Sequence, residues 1–75
     1  SLNNRIEDIP ELAKHFLITI CKNQGIQVKK ISNKAMKELQ NISWTGNIRQ
    51  LRNVIERLII LCDNEITEND VKSYA

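Results

Sequence analysis

Two long segments of the sequence space their apolar residues at intervals of three and four, which is the spacing of an amphipathic α-helix. The apolar stripe of the first segment consists of Ile9, Leu12, Ala13, Phe16, Leu17, Ile20 and Cys21. That of the second consists of Ile48, Leu51, Val54, Ile55, Leu58, Ile59 and Cys62, and is widened near its end by Ile60 and Leu61. We therefore expect two long helices around one core, the second of which becomes more central toward its C-terminus.

Capping residues mark the starts of four helices. Asp8 and Ser32 are the expected N-caps of the first two helices, and Asn47 and Thr67 those of the third and fourth. Pro10 suits a first helical turn and supports the first of these starts. The predicted helices cover about residues 8–24, 32–42, 47–62 and 67–74.

The size of the chain limits it to one small domain. Its 75 residues are 41% hydrophobic, which suffices for a core, but they are too few for a TIM barrel, a Rossmann domain or a complete P-loop ATPase. No strand-like alternation of useful length is present. Four amphipathic helices joined by short polar links predict an all-α fold, a small four-helix bundle that is either a tight miniprotein or part of something larger.

Charge and cysteine content exclude several classes of protein. The formal net charge is +2, which is too weak a balance for a polybasic nucleic-acid binder. No apolar stretch reaches the roughly 18 residues of a membrane span, so we expect a soluble, cytoplasmic chain with no membrane contact. Cys21 and Cys62 lie within apolar helical segments, without partners at metal-ligand spacing, and are expected to be buried and reduced.

The segment from Trp44 to Arg49 is the part of the sequence that helix packing explains least. The first turn of a helix presents unpaired N–H groups that bind anions, whereas a cation there costs about 0.3–1 kcal/mol. Arg49 nevertheless stands two residues after the expected cap, Gly46 lets the backbone approach a ligand, and Arg52 follows one turn later. These features describe a phosphate-binding corner. A packed corner with solvated arginines is the alternative, and residue chemistry alone leaves both open.

Other polar residues offer weaker alternatives. His15 adjoins the apolar stripe without a nucleophile at a suitable spacing, so an exposed or half-buried helical histidine is expected. Lys30, Lys34 and Lys37 could align along the second helix, and with Lys29 they could contact nucleic acid, although a solvated helix face explains them as well. A stand-alone DNA-binding or protein-interaction module therefore remains a second hypothesis.

Three segments, in order, resemble one known family. Residues 5–13 read R-I-E-D-I-P-E-L-A, residues 44–53 read W-T-G-N-I-R-Q-L-R-N, and residues 66–71 read I-T-E-N-D-V. The middle segment is similar to the W-P-G-N-V-R-E-L-x-N signature of the sigma-54-dependent transcriptional activators, the bacterial enhancer-binding proteins of the NtrC class. The flanking segments resemble the start and the end of the C-terminal helical lid in the AAA+ ATPase module of that family.

This resemblance implies a lid-type four-helix bundle and a role for Arg49. In the family, the matching arginine reaches from the lid to the terminal phosphate of an ATP that the larger α/β core binds together with Mg²⁺. The residues that the resemblance places near the base and sugar are Gly46, Asn47 and Ile48, with Ile6 and Ile9 at the join to the core. Thr45 stands where the family usually has proline, and Gln50 where it has glutamate.

The resemblance also implies partners that lie outside this sequence. They are the AAA+ core of the same chain, neighbouring subunits of a ring, the sigma-54 RNA polymerase contacted through that core, and DNA contacted through a downstream helix-turn-helix. By this interpretation the 75 residues are one lid subdomain of a larger ATPase and have no enzymatic activity of their own. The lid would couple ATP hydrolysis to transcription activation.

Overall fold

The described residues of the computed structural model, 8–42 and 48–74, contain four helices and two very short strands. The elements are α1 (Ile9–Asn23), β1 (Lys30–Ile31), α2 (Asn33–Asn41), α3 (Ile48–Leu61), β2 (Glu65–Ile66) and α4 (Glu68–Tyr74). α1 packs mainly against α3, and α2 against α4. The predicted all-α four-helix architecture is confirmed, with a small strand pair added to it.

The apolar stripe of α1 forms one side of the core, as its spacing predicts. Its buried members are Ile9, Ala13, Leu17, Ile20 and Cys21. Gly25 follows the helix with a φ of +70°, and its N–H donates to the Lys22 carbonyl at 3.1 Å. A glycine adopts this left-handed conformation without a steric penalty, so the helix ends where the sequence indicates.

The predicted role of Asp8 as an N-cap is wrong. Asp8 occupies the position before α1, but its φ and ψ of −86° and −13° are helical and its side chain makes no capping hydrogen bond. A capping side chain reaches the first free N–H groups from an extended backbone, which Asp8 does not have. Pro10 in the first turn and the apolar stripe define this end of the helix instead.

The cap of α2 is as predicted. Ser32 has an extended backbone, and its hydroxyl oxygen accepts a hydrogen bond of 3.0 Å from the Ala35 N–H. The buried side of this helix consists of Ala35, Met36 and Leu39. Serine at this position satisfies one of the N–H groups that the first helical turn leaves without an intrahelical partner.

α3 buries a single stripe along its whole length, made of Leu51, Ile55, Leu58 and Ile59. Ile60 and Leu61 lie outside it and are 66% and 51% exposed. The prediction that α3 becomes central toward its end is therefore wrong. Neighbouring helices cover only one side of α3, and two additional apolar residues in the sequence do not bring a second layer onto the other side.

Both cysteines are free thiols in the core, as expected. Cys62 lies just after α3 and is 7% exposed. Burial, followed by a hydrogen bond to the Asp70 carboxylate, raises the pKa of the Cys62 thiol to about 11. The thiol is therefore protonated and unreactive near neutral pH.

A hydrogen-bonded strand pair joins the α1–α2 connection to the α3–α4 connection. β1 and β2 run parallel, with Lys30 opposite Glu65 and Ile31 opposite Ile66. The Lys30 N–H donates to the Asn64 carbonyl at 3.1 Å, and the Ser32 N–H donates to the Ile66 carbonyl at 3.0 Å. These two connections, which were expected to be simple polar links, thus form one unit.

Lys29 adds a charged contact between the same two regions. Its Nζ donates to the carbonyl oxygens of Ile59 and Cys62, at the C-terminal end of α3. Carbonyls in the last turn of a helix lack intrahelical partners and form the negative end of its dipole, so a cation there is favourable. We call this contact the Lys29 clamp.

α4 begins at the capping box that the sequence predicts. The Thr67 N–H and hydroxyl both donate to Oδ2 of Asp70 at 2.9 Å, and the Asp70 N–H donates back to the Thr67 hydroxyl at 3.3 Å. The backbone bond, followed by the hydroxyl bond, holds the pKa of the Asp70 carboxyl below its ordinary value. The charged carboxylate is therefore the form that the fold favours.

Replacing Lys29 with methionine should lower the free energy of unfolding by about 1–2 kcal/mol, because it removes charged hydrogen bonds at the end of a helix. Urea unfolding followed by circular dichroism measures this change. Lys30→Met is the matched control: the Lys30 side chain is exposed and its backbone bond to Asn64 remains, so a change below about 0.5 kcal/mol is expected. Equal effects of the two substitutions would contradict the clamp.

Asp70 should also give the stability a specific acid dependence. Because its folded-state pKa is lowered, its contribution is complete above the ordinary value of 3.8 and is lost as the pH falls through the lower folded-state pKa. Urea midpoints measured from about pH 6 to about pH 2 should therefore fall more steeply for the natural chain than for Asp70→Asn, which cannot titrate there. Parallel curves would show that the capping box contributes nothing through its charge.

Candidate functional site

The candidate site lies at the N-terminal end of α3, where Ile48 and Arg49 are the first two residues that the structure describes after the gap at 43–47. Both side chains are exposed, Ile48 by 46%. Arg49 precedes the buried Leu51 by two residues, which turns its side chain about 200° around the helix from that core position. The packing of α3 thus directs Arg49 away from the hydrophobic core.

The electrostatics of this helix end suit an anion. The N-terminal end of a helix carries about half a positive charge, and no acidic residue of α3 occupies its first turn. Arg49 adds a full positive charge at a point where the dipole opposes it. A guanidinium at the positive end of a helix can bind a phosphate through charge-assisted hydrogen bonds.

Arg52, one turn further on, contributes less to this positive corner than its sequence position suggests. Its guanidinium lies 3.4 Å from Oε2 of Glu56, an i,i+4 pair on the surface of α3. Such exposed pairs stabilise a helix by only about 0.3–0.5 kcal/mol, but this one directs Arg52 along the helix. Arg49 lies in the first turn itself, which makes it the main candidate for contact with an anion.

The structure brings some of the other predicted site residues to this surface and not others. Ile48 lies beside Arg49 and is exposed, whereas Ile9 is fully buried in the core and presents no surface to a ligand. Its predicted place near a base stays a prediction. Ile6, Gly46 and Asn47 lie outside the described residues, as do the neighbouring positions 44 and 45.

The lysines of the alternative DNA-binding hypothesis do not share one helix face. Lys29 is engaged in the clamp, and Lys30 lies in β1 rather than in α2. Of these four lysines, only Lys34 and Lys37 lie on α2, and both are exposed. His15 is exposed as expected, with its ring 5.6 Å from that of Phe16.

Two further classes of site were sought in residues 8–42 and 48–74. No group of three or more His, Cys, Asp and Glu side chains there is arranged to hold a metal ion. None of the helices in that part of the chain has the length and apolarity needed to cross a bilayer.

The sequence interpretation missed the Lys29 clamp and the strand pair. The sequence signal for this extended segment is short. Apolar and polar residues alternate over only four positions before Lys30, namely Ile26, Gln27, Val28 and Lys29. Alternation over four residues favours an extended segment, yet it gives no indication of the partner. That partner lies about thirty residues further along the chain.

Comparison with known proteins identifies the family. Residues 3–75 match a family model described as the AAA+ ATPase lid domain. The chain belongs to this family. The lid is therefore the established fold type, and the resemblance that the three sequence segments carry is confirmed.

Curated relatives of this lid include bacterial nitrogen regulators. The lid is 46% identical over 70 residues to the nitrogen assimilation regulatory protein NtrX of Azorhizobium caulinodans, covering 88% of this chain and 15% of that protein. It is 43% identical over 70 residues to the DNA-binding transcriptional regulator NtrC of Azospirillum brasilense. This match covers 93% of the lid and 14% of that protein. The lid thus spans about one seventh of the length of these relatives.

Solved structures show the same fold. NtrX of Brucella abortus, crystallised in complex with ADP and also with ATP, superposes on the lid with a TM-score of 0.82 at 44% sequence identity. Each match covers 93% of the lid and 17% of the NtrX chain. The bundle topology described above is therefore that of an AAA+ lid.

Arg49→Ala in this chain should leave the fold intact, because the side chain is exposed and a surface substitution changes the free energy of unfolding by less than about 0.5 kcal/mol. Leu51→Ala, two residues away in the core, should cost about 2–5 kcal/mol and unfold much of the population. Urea unfolding monitored by circular dichroism compares the two. A large loss of stability on removing Arg49 would assign it a structural role.

Proposed function

We propose that this lid is part of a sigma-54-dependent transcriptional activator, and that Arg49 detects the nucleotide held by the α/β core of the same ATPase module. The lid helps to bind ATP and couples its hydrolysis to transcription activation. By itself it has no catalytic activity, since the groups that hydrolyse ATP and hold Mg²⁺ belong to the core.

The position of Arg49 is the observation that carries this proposal. Its side chain is exposed in the first turn of α3, opposite the helix face that forms the core. A cation at this point costs the helix about 0.3–1 kcal/mol, so the helix dipole does not favour an arginine here. A phosphate group does, because arginine stays charged and can donate two parallel hydrogen bonds to phosphate oxygens.

The neighbouring residues complete the proposed nucleotide surface. Ile48 offers an exposed apolar side chain beside Arg49, suited to contact with a base or a sugar. Gly46 and Asn47 precede it in the sequence, and Ile6 and Ile9 are assigned to the join with the core. NtrX from Brucella abortus, which contains a similar lid, was crystallised in complex with ADP and with ATP, and this supports nucleotide binding by a protein that carries a lid of this type.

Coupling follows from the charge of the nucleotide. Hydrolysis and phosphate release reduce the negative charge near Arg49, which weakens its attraction to the core. The strand pair and the Lys29 clamp bind the two connections together, so the lid can turn as a rigid body in response. We propose that the regulator forms a ring of subunits in the cytoplasm and that the motion of the lid passes through this ring to the sigma-54 RNA polymerase. A helix-turn-helix of the same regulator binds the DNA.

The alternative of a stand-alone DNA-binding module gains no support from the arrangement of lysines. Lys29, one of its four proposed contacts, uses its ammonium group inside the fold. Lys30 is in the strand pair, so only Lys34 and Lys37 remain together on α2.

The decisive test is Arg49→Ala in the full-length regulator. Loss of one charged hydrogen-bonding group from the transition state should lower ATP turnover roughly ten- to a hundredfold. Arg49→Lys keeps the charge but loses the paired hydrogen bonds, so it should retain part of the activity. Steady-state phosphate release at saturating ATP measures all variants.

Arg57→Ala is the matched control, because Arg57 is also an exposed arginine of α3 and donates to the Tyr74 carbonyl at 3.1 Å, away from the first turn. Its ATP turnover should match that of the unaltered regulator within twofold. Unchanged turnover in Arg49→Ala, or equal losses in both variants, would remove the proposed role of Arg49.

A further inference from the structure

An open cleft lies at the end of the lid opposite the Arg49 end of α3. Its volume is about 690 Å³, and residues 26–30 together with Asn64 and Glu65 line it. Cavities that hold small ligands or short peptides typically measure about 300–1,000 Å³. The proposed function uses the strand pair and the Lys29 clamp to hold the lid rigid, but it assigns no ligand to the cleft beside them.

The segment along one side of the cleft has backbone groups that no described residue pairs with. Gln27, Val28 and Lys29 form neither a turn nor a bend and lead directly into β1. Neither the N–H nor the carbonyl of Gln27 or of Val28 has a hydrogen-bond partner within residues 8–42 and 48–74. A straight segment next to a strand with unpaired backbone groups is a template for pairing with another extended chain.

Side chains at the same segment favour an apolar occupant. Ile26 and Val28 are 41% and 37% exposed, and both line the cleft. Lys30 and Glu65, opposite each other in the strand pair, add one charge of each sign and so give no preference for a charged partner.

The segment is also held in place at both ends. The Ile26 N–H donates to the Cys21 carbonyl at 3.0 Å, and the Lys30 N–H donates to that of Asn64 at 3.1 Å. The Lys29 clamp anchors a third point of the segment, between Ile26 and Lys30. Because the backbone of this segment is already ordered, the lid loses less conformational entropy when a partner binds.

We propose that this cleft binds an extended peptide segment of a partner protein by backbone pairing with residues 27–29, with an apolar side chain of the peptide against Ile26 and Val28. The size of the cleft favours a short segment. A second folded copy would have to bury about 1,200–2,000 Å² in total for a stable interface, far more than this segment offers.

An NMR titration tests the proposal. The probe is the blocked pentapeptide acetyl-Thr-Val-Thr-Val-Thr-amide, added up to about 5 mM to the isotope-labelled full chain. The amide signals of Gln27, Val28 and Lys29 should move in a saturable manner and gain protection from hydrogen exchange. The same peptide with every backbone nitrogen methylated cannot donate hydrogen bonds from its backbone and should bind at least tenfold more weakly.

Two substitutions separate the cleft from general apolar adsorption. Val28→Thr keeps the shape and backbone of the segment but removes apolar surface, and should weaken peptide binding roughly threefold or more. Ile60→Thr changes a residue that is 66% exposed and does not line the cleft, so the affinity should stay within twofold.

Three outcomes would overturn the proposal. They are the absence of shifts at residues 27–29, equal binding of the methylated peptide, and equal weakening by Val28→Thr and Ile60→Thr. Shifts of the same amides with increasing chain concentration and no peptide would instead assign the cleft to a second copy of the chain. None of these results depends on Arg49, so the nucleotide proposal stands or fails separately.

Discussion

The contact between the Lys29 ammonium and the last carbonyls of α3 connects the two halves of the lid. Lys29 lies thirty residues before Ile59 in the sequence, and the strand pair begins at the next residue, Lys30. A cation at the C-terminal end of a helix gains favourable dipole and hydrogen-bond energy together. The order of the α1–α2 connection, and with it the cleft at residues 26–30, depends on this contact.

Positive charges at the two ends of α3 have opposite effects on the stability of the helix. Lys29 at the C-terminal end contributes up to about 2 kcal/mol in a partly buried geometry, whereas Arg49 at the N-terminal end costs about 0.3–1 kcal/mol. The favourable contact outweighs the unfavourable one. α3 can therefore present a guanidinium in its first turn while its buried stripe, from Leu51 to Ile59, continues to hold the core together.

Local patterns predicted the parts of the lid that depend on local interactions. The caps at Ser32 and Thr67 involve residues within three positions, and both were evident in the sequence. The exposure of Arg49 followed from its offset from the apolar stripe. Asp8, by contrast, has the residue type of a cap but not the backbone conformation, which residue type alone does not determine.

Long-range features could not be predicted in this way. Each strand has only two residues, too few for a periodic pattern, and no composition rule identifies the carbonyls that Lys29 binds. The exposure of Ile60 and Leu61 depends on which helices cover α3, which is a property of the whole assembly. In the candidate site, Gly46 and Asn47 lie outside the described residues, so their assignment rests on residue type and family resemblance.

The strand pair has a consequence for how this chain folds during translation. The Ser32 N–H finds its partner at the Ile66 carbonyl, so the connection before α2 is incomplete until Ile66 has left the ribosome. Closing a contact across this many residues carries an entropic cost that helices formed earlier cannot offset by themselves. The nascent lid should therefore acquire its final structure late and in one cooperative step.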